Sequence, residues 1–163
     1  MRWTHARFGR PRLLTGRSAV RSAFGYAQQP TLSRDGRRVA FDCGPDRYGQ
    51  AGTGICSIAT AGGVVRRVVA PQEGPDRSPA HAVHHAAFAR AGGLVFEADW
   101  HGEQVWALRP GARQPRLSRV SDDISPCVLP DGRIVSLWLC RRGGSGGHEL
   151  RAMGAGGDLR RCS

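Results

Sequence analysis

Lysine is absent from this 163-residue sequence; all 24 basic residues are arginine. The formal charge of +11 therefore reflects an arginine-for-lysine bias, of the kind high-GC coding produces, as much as a need for cationic surface. Six arginines fall in residues 1–29, which hold no acid, and the other 18 face 13 acids for a net of +5. An arginine patch can bind phosphate by counterion release. However, no basic-plus-aromatic RNA signature, zinc-finger spacing or helix-turn-helix accompanies the charge, so nucleic acid is not the expected partner. Long apolar runs are also missing. Nothing approaches the ~20 residues of a membrane span, and "ARFGRPRLLTGRSAV" never becomes the uninterrupted apolar core of a signal peptide. Residues 1–29 read as a basic, disordered N-terminal segment.

Cys-x-x-Cys pairs are lacking too, which removes zinc ribbons and thioredoxin-type chemistry. The cysteines are Cys43, Cys56, Cys127, Cys140 and Cys162, an odd number. Cys43 and Cys56 could face each other across a hairpin, but small buried thiols are the preferred reading. There is no Gly-x-Ser-x-Gly elbow and no Gly-Lys-Ser/Thr phosphate loop. "GGSGG" around Ser145 reads as a flexible hairpin connection.

Glycine, by contrast, is plentiful. The 23 glycines are about twice the usual ~7% share, and most separate short β-branched runs. That pattern favours strands joined by tight turns. It is also repeated. "PTLSRDGRRVAFDC" (30–43) and "SPCVLPDGRIVSLW" (125–138) share a proline, a short strand, Asp-Gly, arginine and an apolar strand. "HAAFARAGGLVFEAD" (85–99) is a third copy in which Ala91-Gly92 replaces Asp-Gly. The turn glycines are Gly36, Gly92 and Gly132. A second half repeats as well: "GICSIATAGGVVRRVV" (54–69), "QVWALRPGARQPRLS" (104–118) and "ELRAMGAGGDLRRCS" (149–163). Each gives an alternating strand, a glycine turn and a basic-apolar strand. Four short antiparallel strands in roughly 40 residues is the size of one propeller blade. The expected fold is all-β: a partial β-propeller of about three four-stranded antiparallel blades, near 30–70, 85–118 and 122–162, within a repeat region 30–163.

The wording of these copies resembles the TolB-like β-propeller repeat, Pro-x-Trp-Ser-Pro-Asp-Gly followed by a basic residue and an apolar strand. Residues 30–41 and 122–135 carry the likeness, and "RLSRVSDDISP" resembles a join between blades. The chain departs from the pattern where Leu32, Phe88 and Leu129 stand near the expected Trp. Propellers close with four to eight blades, and the family generally has six, so the leading expectation from three copies is a fragment of a larger propeller, with a short open assembly or closure with another copy as the alternative. Open blade edges would invite self-association.

Two clusters carry candidate chemistry. "HAVHH" brings His81, His84 and His85 together. His81 and His85 would share a helical face, but the segment leads into an alternating strand with no carboxylate at useful spacing. It reads as an exposed inter-blade loop whose histidines could line a channel mouth, not as a metal site. Asp122-Asp123 lies at a blade junction. Adjacent residues on extended chain point to opposite faces, which argues against an acid–base dyad. His84, His85, Asp122 and Asp123 are thus candidate binding residues; no catalytic set, metal or cofactor is expected. The resemblance implies a non-enzymatic interaction module with a protein partner, in the periplasm or cell envelope. The alternative is an accessory propeller segment of a larger enzyme, either a prolyl-oligopeptidase-type hydrolase or a hydrazine-synthase-alpha-like protein.

Overall fold

The computed structural model describes residues 14, 26–44, 52–71, 82–100, 104–113, 115–121, 123–140, 147–153 and 159–161. Among them the chain forms twelve strands and no helix. The first sheet comprises β1 (Tyr26–Leu32), β2 (Arg38–Gly44), β3 (Gly54–Ala59) and β4 (Arg66–Val69). The second comprises β5 (Val83–Phe88), β6 (Leu94–Ala98), β7 (Gln104–Leu108) and β8 (Arg116–Ser121). The third comprises β9 (Asp123–Val128), β10 (Ile134–Cys140), β11 (Gly147–Met153) and β12 (Leu159–Arg161). Each sheet is a four-stranded antiparallel meander in chain order, as the threefold repeat requires. β1 starts four residues before the first repeat, so 26–29 belong to the sheet. The disorder expected of residues 1–25 concerns, Leu14 apart, residues outside those described. No helix of the described residues is long and apolar enough to cross a membrane.

The first turn of each sheet closes on a glycine of positive φ: Gly36 at 67°, Gly92 at 86° and Gly132 at 91°. Their amides donate to Ser33, Ala89 and Leu129 carbonyls, each at 2.9 Å. Asp35 and Asp131 reinforce two of these turns by accepting the Arg37 and Arg133 amides at 3.1 and 3.0 Å. The middle turn lacks the aspartate and forms on glycine alone, because left-handed backbone is the one strict demand.

The second sheet lies between the other two, and β6 explains how. All five residues of Leu94–Ala98 are buried, and alternation sends successive side chains to opposite faces. Leu94, Phe96 and Ala98 join Ala40, Ile55 and Val69 in the core shared with the first sheet. Val95 faces the other way and, with Val105, packs against Val128 and Ile134 of the third. Trp100 stacks edge-on to both Phe96 and Trp106, with centroids 6.1 and 4.7 Å apart. Each such side chain contributes about 1.5–3 kcal/mol on leaving water.

The outer face of the first sheet buries Phe41, Cys43, Cys56 and Ile58, with Leu14 and Val65 against them. Cys43 and Cys56 form a disulfide, with Cα atoms 6.0 Å apart. This corrects the expectation of free thiols. Cys43 pairs with Gly54 and Cys56 with Phe41, so the two sulfurs meet diagonally across β2 and β3. Cys127 is a free, exposed thiol.

Candidate functional site

A polar cluster among the described residues is built on a backbone irregularity that all three sheets share. In β5, His84 pairs with Glu97 and Ala87 with Val95, so His85 and Ala86 together oppose one residue of β6. His85 takes φ 55°, a bulge geometry unusual for a residue with a side chain. β1 slips between Gln28 and Thr31, with Gln29 at φ 47°. β9 slips between Ile124 and Cys127, with Ser125 at φ 51°. Each bulge residue stands seven positions ahead of its turn glycine: 29 and 36, 85 and 92, 125 and 132.

The bulge changes what adjacent residues can do. On regular strand the His84 and His85 rings would point to opposite faces. Here their centroids are 4.5 Å apart and their Nδ1 atoms 3.1 Å apart. They occupy a half-buried strand, which corrects their expected place in an exposed loop. His81 lies outside the described residues. So does Asp122; Asp123 sits in β9, paired with Trp138 of β10.

β6 supplies the carboxylate that linear spacing does not reveal. Glu97, only 3% exposed, places Oε2 2.8 Å from His85 Nδ1 and Oε1 3.5 Å from His84 Nε2. Its Oε2 also accepts the Ser125 main-chain N–H at 2.8 Å. One sheet earlier the same relation holds: Asp42 Oδ2 accepts the His85 main-chain N–H at 3.1 Å. Thus a second-strand carboxylate receives the bulge amide of the following sheet, twice in succession. The register makes Leu137 the third-sheet counterpart of Asp42 and Glu97, since Gln28, His84 and Ile124 pair with them in turn.

The electrostatics differ between the two carboxylates. Burial pushes Asp42 up to about 6, and its Oδ1 is buried with no hydrogen-bond partner among the described residues. Burial acts the same way on Glu97, but the His85 hydrogen bond and Ser125 amide outweigh it and hold the carboxyl below its usual range. For His85, burial opposes the charge while the Glu97 hydrogen bond more than offsets it, so the imidazole lies above its ordinary value. Burial lowers His84, with Glu97 opposing.

Ser125, His85 and Glu97 superficially form a nucleophile, base and acid. The geometry does not support that chemistry. Ser125 Oγ and Glu97 Oε2 both approach His85 Nδ1, at 3.4 and 2.8 Å, whereas a proton relay needs one partner on each ring nitrogen. The positive φ of Ser125 is likewise no nucleophile elbow, because Gln29 and His85 share it at the same repeat position. What the cluster can do is bind: His84, His85 and Glu97 present ligand atoms all within 4.8 Å of one another. Sequence reasoning found both histidines but missed Asp42, Glu97 and Ser125. A signal existed for the acids, since each is a charge inside an otherwise apolar strand, "RVAFDCG" and "LVFEA". A separate cleft of about 520 Å³ lies between the first turns of the first two sheets, lined by Arg34, Asp35, Arg38, Phe88 and Arg90.

No family model matches the sequence, and no curated protein matches it. Among solved structures, the fold is similar to that of a Mycobacterium tuberculosis puromycin-hydrolyzing peptidase, with a TM-score of 0.62 at 16% identity. The match covers 82% of this chain and 22% of that one, so this chain spans about a fifth of the neighbour, and the likeness is one of fold.

Proposed function

We propose that the three sheets are blades of a TolB-like β-propeller and that the chain acts as a non-catalytic binding segment of it. The observation that carries this reading is the repeated link from Asp42 to the His85 amide and from Glu97 to the Ser125 amide. A bond that recurs between equivalent positions of successive sheets is what a common rotation about one axis produces. The neighbours agree with it: β5 lies against β1, β2 and β3, and β9 likewise against β5, β6 and β7. First strands therefore gather on one side, as the inner strands of propeller blades do around a channel. His84, His85, Glu97 and Ser125 then belong to the inner, ligand-facing region. The Cys43–Cys56 bridge supports an oxidising, extracytoplasmic setting, where a protein partner of the cell envelope would be met.

A second reading is favoured by the likeness to a peptidase of which this chain covers 22%: an accessory propeller segment within a larger hydrolase. Both readings deny the segment its own active site. Treatment of the purified chain with a fluorophosphonate probe should label no serine, and labelling of Ser125 would overturn them together. The flanking reading frames separate the two. Further Asp-Gly repeats alone favour the binding module, whereas an adjoining Gly-x-Ser-x-Gly domain favours the hydrolase.

A further inference from the structure

We infer that His84, His85 and Glu97, with Ser125 beside them, form a binding site for a divalent transition-metal ion of the zinc class. The inference rests on side-chain geometry and stands whether or not the sheets are propeller blades.

The first observation is crowding around one atom. His85 Nδ1 has Glu97 Oε2 at 2.8 Å, His84 Nδ1 at 3.1 Å and Ser125 Oγ at 3.4 Å. A ring nitrogen carries either one hydrogen or one lone pair, so a single proton cannot serve three such neighbours. A cation can. Ligand atoms around a tetrahedral ion with bonds of ~2.0–2.1 Å lie about 3.3 Å apart. The separations from His85 Nδ1 bracket that value, and the ligand atoms of His84, His85 and Glu97 all lie within 4.8 Å of one another, so side-chain adjustment is what would bring them onto a common centre.

The second observation is that the site is built. The left-handed backbone at His85 turns two adjacent imidazoles to one side, an arrangement that regular strand forbids. Two outer contacts then fix the donors. The Ser125 amide holds Glu97 Oε2, and Asp42 holds the His85 amide. Such supporting hydrogen bonds are what orient ligands in metal sites. The carboxylate is 4% exposed and the histidine side chains 16% and 21%, which leaves a path for an ion without full solvent competition.

The donor set chooses the metal. Two imidazoles and one carboxylate suit Zn²⁺, Co²⁺, Ni²⁺ or Cu²⁺, while Ca²⁺ and Mg²⁺ prefer all-oxygen cages. Three protein ligands leave a fourth position for Ser125 Oγ or water.

Calorimetric titration of Zn²⁺ into the full, chelator-treated chain at neutral pH tests the inference. One ion per chain is expected, with affinity at least ~10-fold weaker in His84→Ala and in Glu97→Gln, and unchanged in Asp131→Asn, an exposed turn residue. No binding, or binding equal in all four proteins, overturns it. Should the variants fail to fold, Cu²⁺ bound to the wild-type chain reads the ligands directly by electron paramagnetic resonance. Superhyperfine splitting from two imidazole nitrogens is expected; splitting from one or none overturns the assignment.

Discussion

The Asp42 carboxylate receives the main-chain N–H of His85, 43 residues further on and in the next sheet, at 3.1 Å. Few single bonds join so much. It fixes the spacing of the first two sheets, holds the residue with the left-handed backbone, and sets the direction from which the His85 ring reaches Glu97. β5 and β9 are edge strands of their sheets, so an amide turned away from the neighbouring strand finds no partner within the ladder. The bulge frees one amide per sheet, and a buried free amide must find an acceptor. Asp42 and Glu97 are those acceptors, which accounts for two charges inside otherwise apolar strands.

Asp42→Asn isolates the burial of that charge. The native carboxyl titrates at about 6 against a reference of 3.8, so the folded protein holds its proton more tightly than the unfolded chain. Stability then falls as pH rises from about 4 to about 6, and above that the ionised form is worse off by about 3 kcal/mol. An asparagine oxygen still accepts the His85 amide but does not titrate. The melting temperature of the variant relative to wild type should therefore climb across this window and level off above it. A difference independent of pH would mean that Asp42 titrates normally.

The disulfide should be worth measuring in the same way. Cys43 and Cys56 are separated by 13 positions, and a loop of that size stabilises by about 3 kcal/mol in the chain-entropy account. The Cys43→Ala/Cys56→Ala double variant should lose about 2–3 kcal/mol in urea unfolding, with most of the gap removed when wild type is reduced. Non-reducing peptide mapping should recover the two residues in one linked species. Two separately alkylated peptides would contradict the bridge.

These cases show where the sequence is informative and where it stops. The turns were legible because Gly36, Gly92 and Gly132 mark a local backbone need, and local needs leave local residues. Cross-strand matters are different. Cys43 and Cys56 meet only because β2 and β3 pair with Cys43 opposite Gly54, a register set across a Gly-rich insertion. The His84–His85 pair was misplaced for a related reason: nothing in "VHHAAF" announces a bulge. Its trace lies in the repeat instead, seven positions ahead of each turn glycine. Glu97 was visible as an anomaly, but its partners come from β5 and β9, and no linear spacing joins them.

The turn at Gly132 offers a direct check on that local reasoning. Its φ of 91° is poorly accessible to β-branched residues. A Cβ there would sit 3.4 and 3.5 Å from Arg90 Cδ and Cβ, ordinary van der Waals contact, so backbone conformation and not crowding sets the penalty. Gly132→Val should cost about 1–3 kcal/mol, and Gly132→Asn distinctly less, since asparagine tolerates left-handed backbone. Equal melting of the valine variant and the parent would show that the turn is not held as described.

Glu97→Gln should behave with the opposite pH signature to Asp42→Asn. The glutamine oxygen can still accept the Ser125 amide, so the change removes the charge beside His85 and little else. In the wild type, the His85 imidazole lies above its ordinary value through the Glu97 hydrogen bond, working against burial. That stabilisation is complete below the unfolded value of ~6.5 and fades as pH rises through the higher native one. On the acid side, Glu97 lies below its usual value, and its contribution is lost as pH falls through the carboxyl range. Wild type should thus exceed the variant by about 1–3 kcal/mol between roughly pH 5 and 6.5, with the gap narrowing on either side. Thermal melts across pH with a chelator present, to exclude metal, would trace this bell. A gap that instead grew steadily toward high pH would mean His85 is not charged against Glu97, and the polar cluster would need a different assignment of protons.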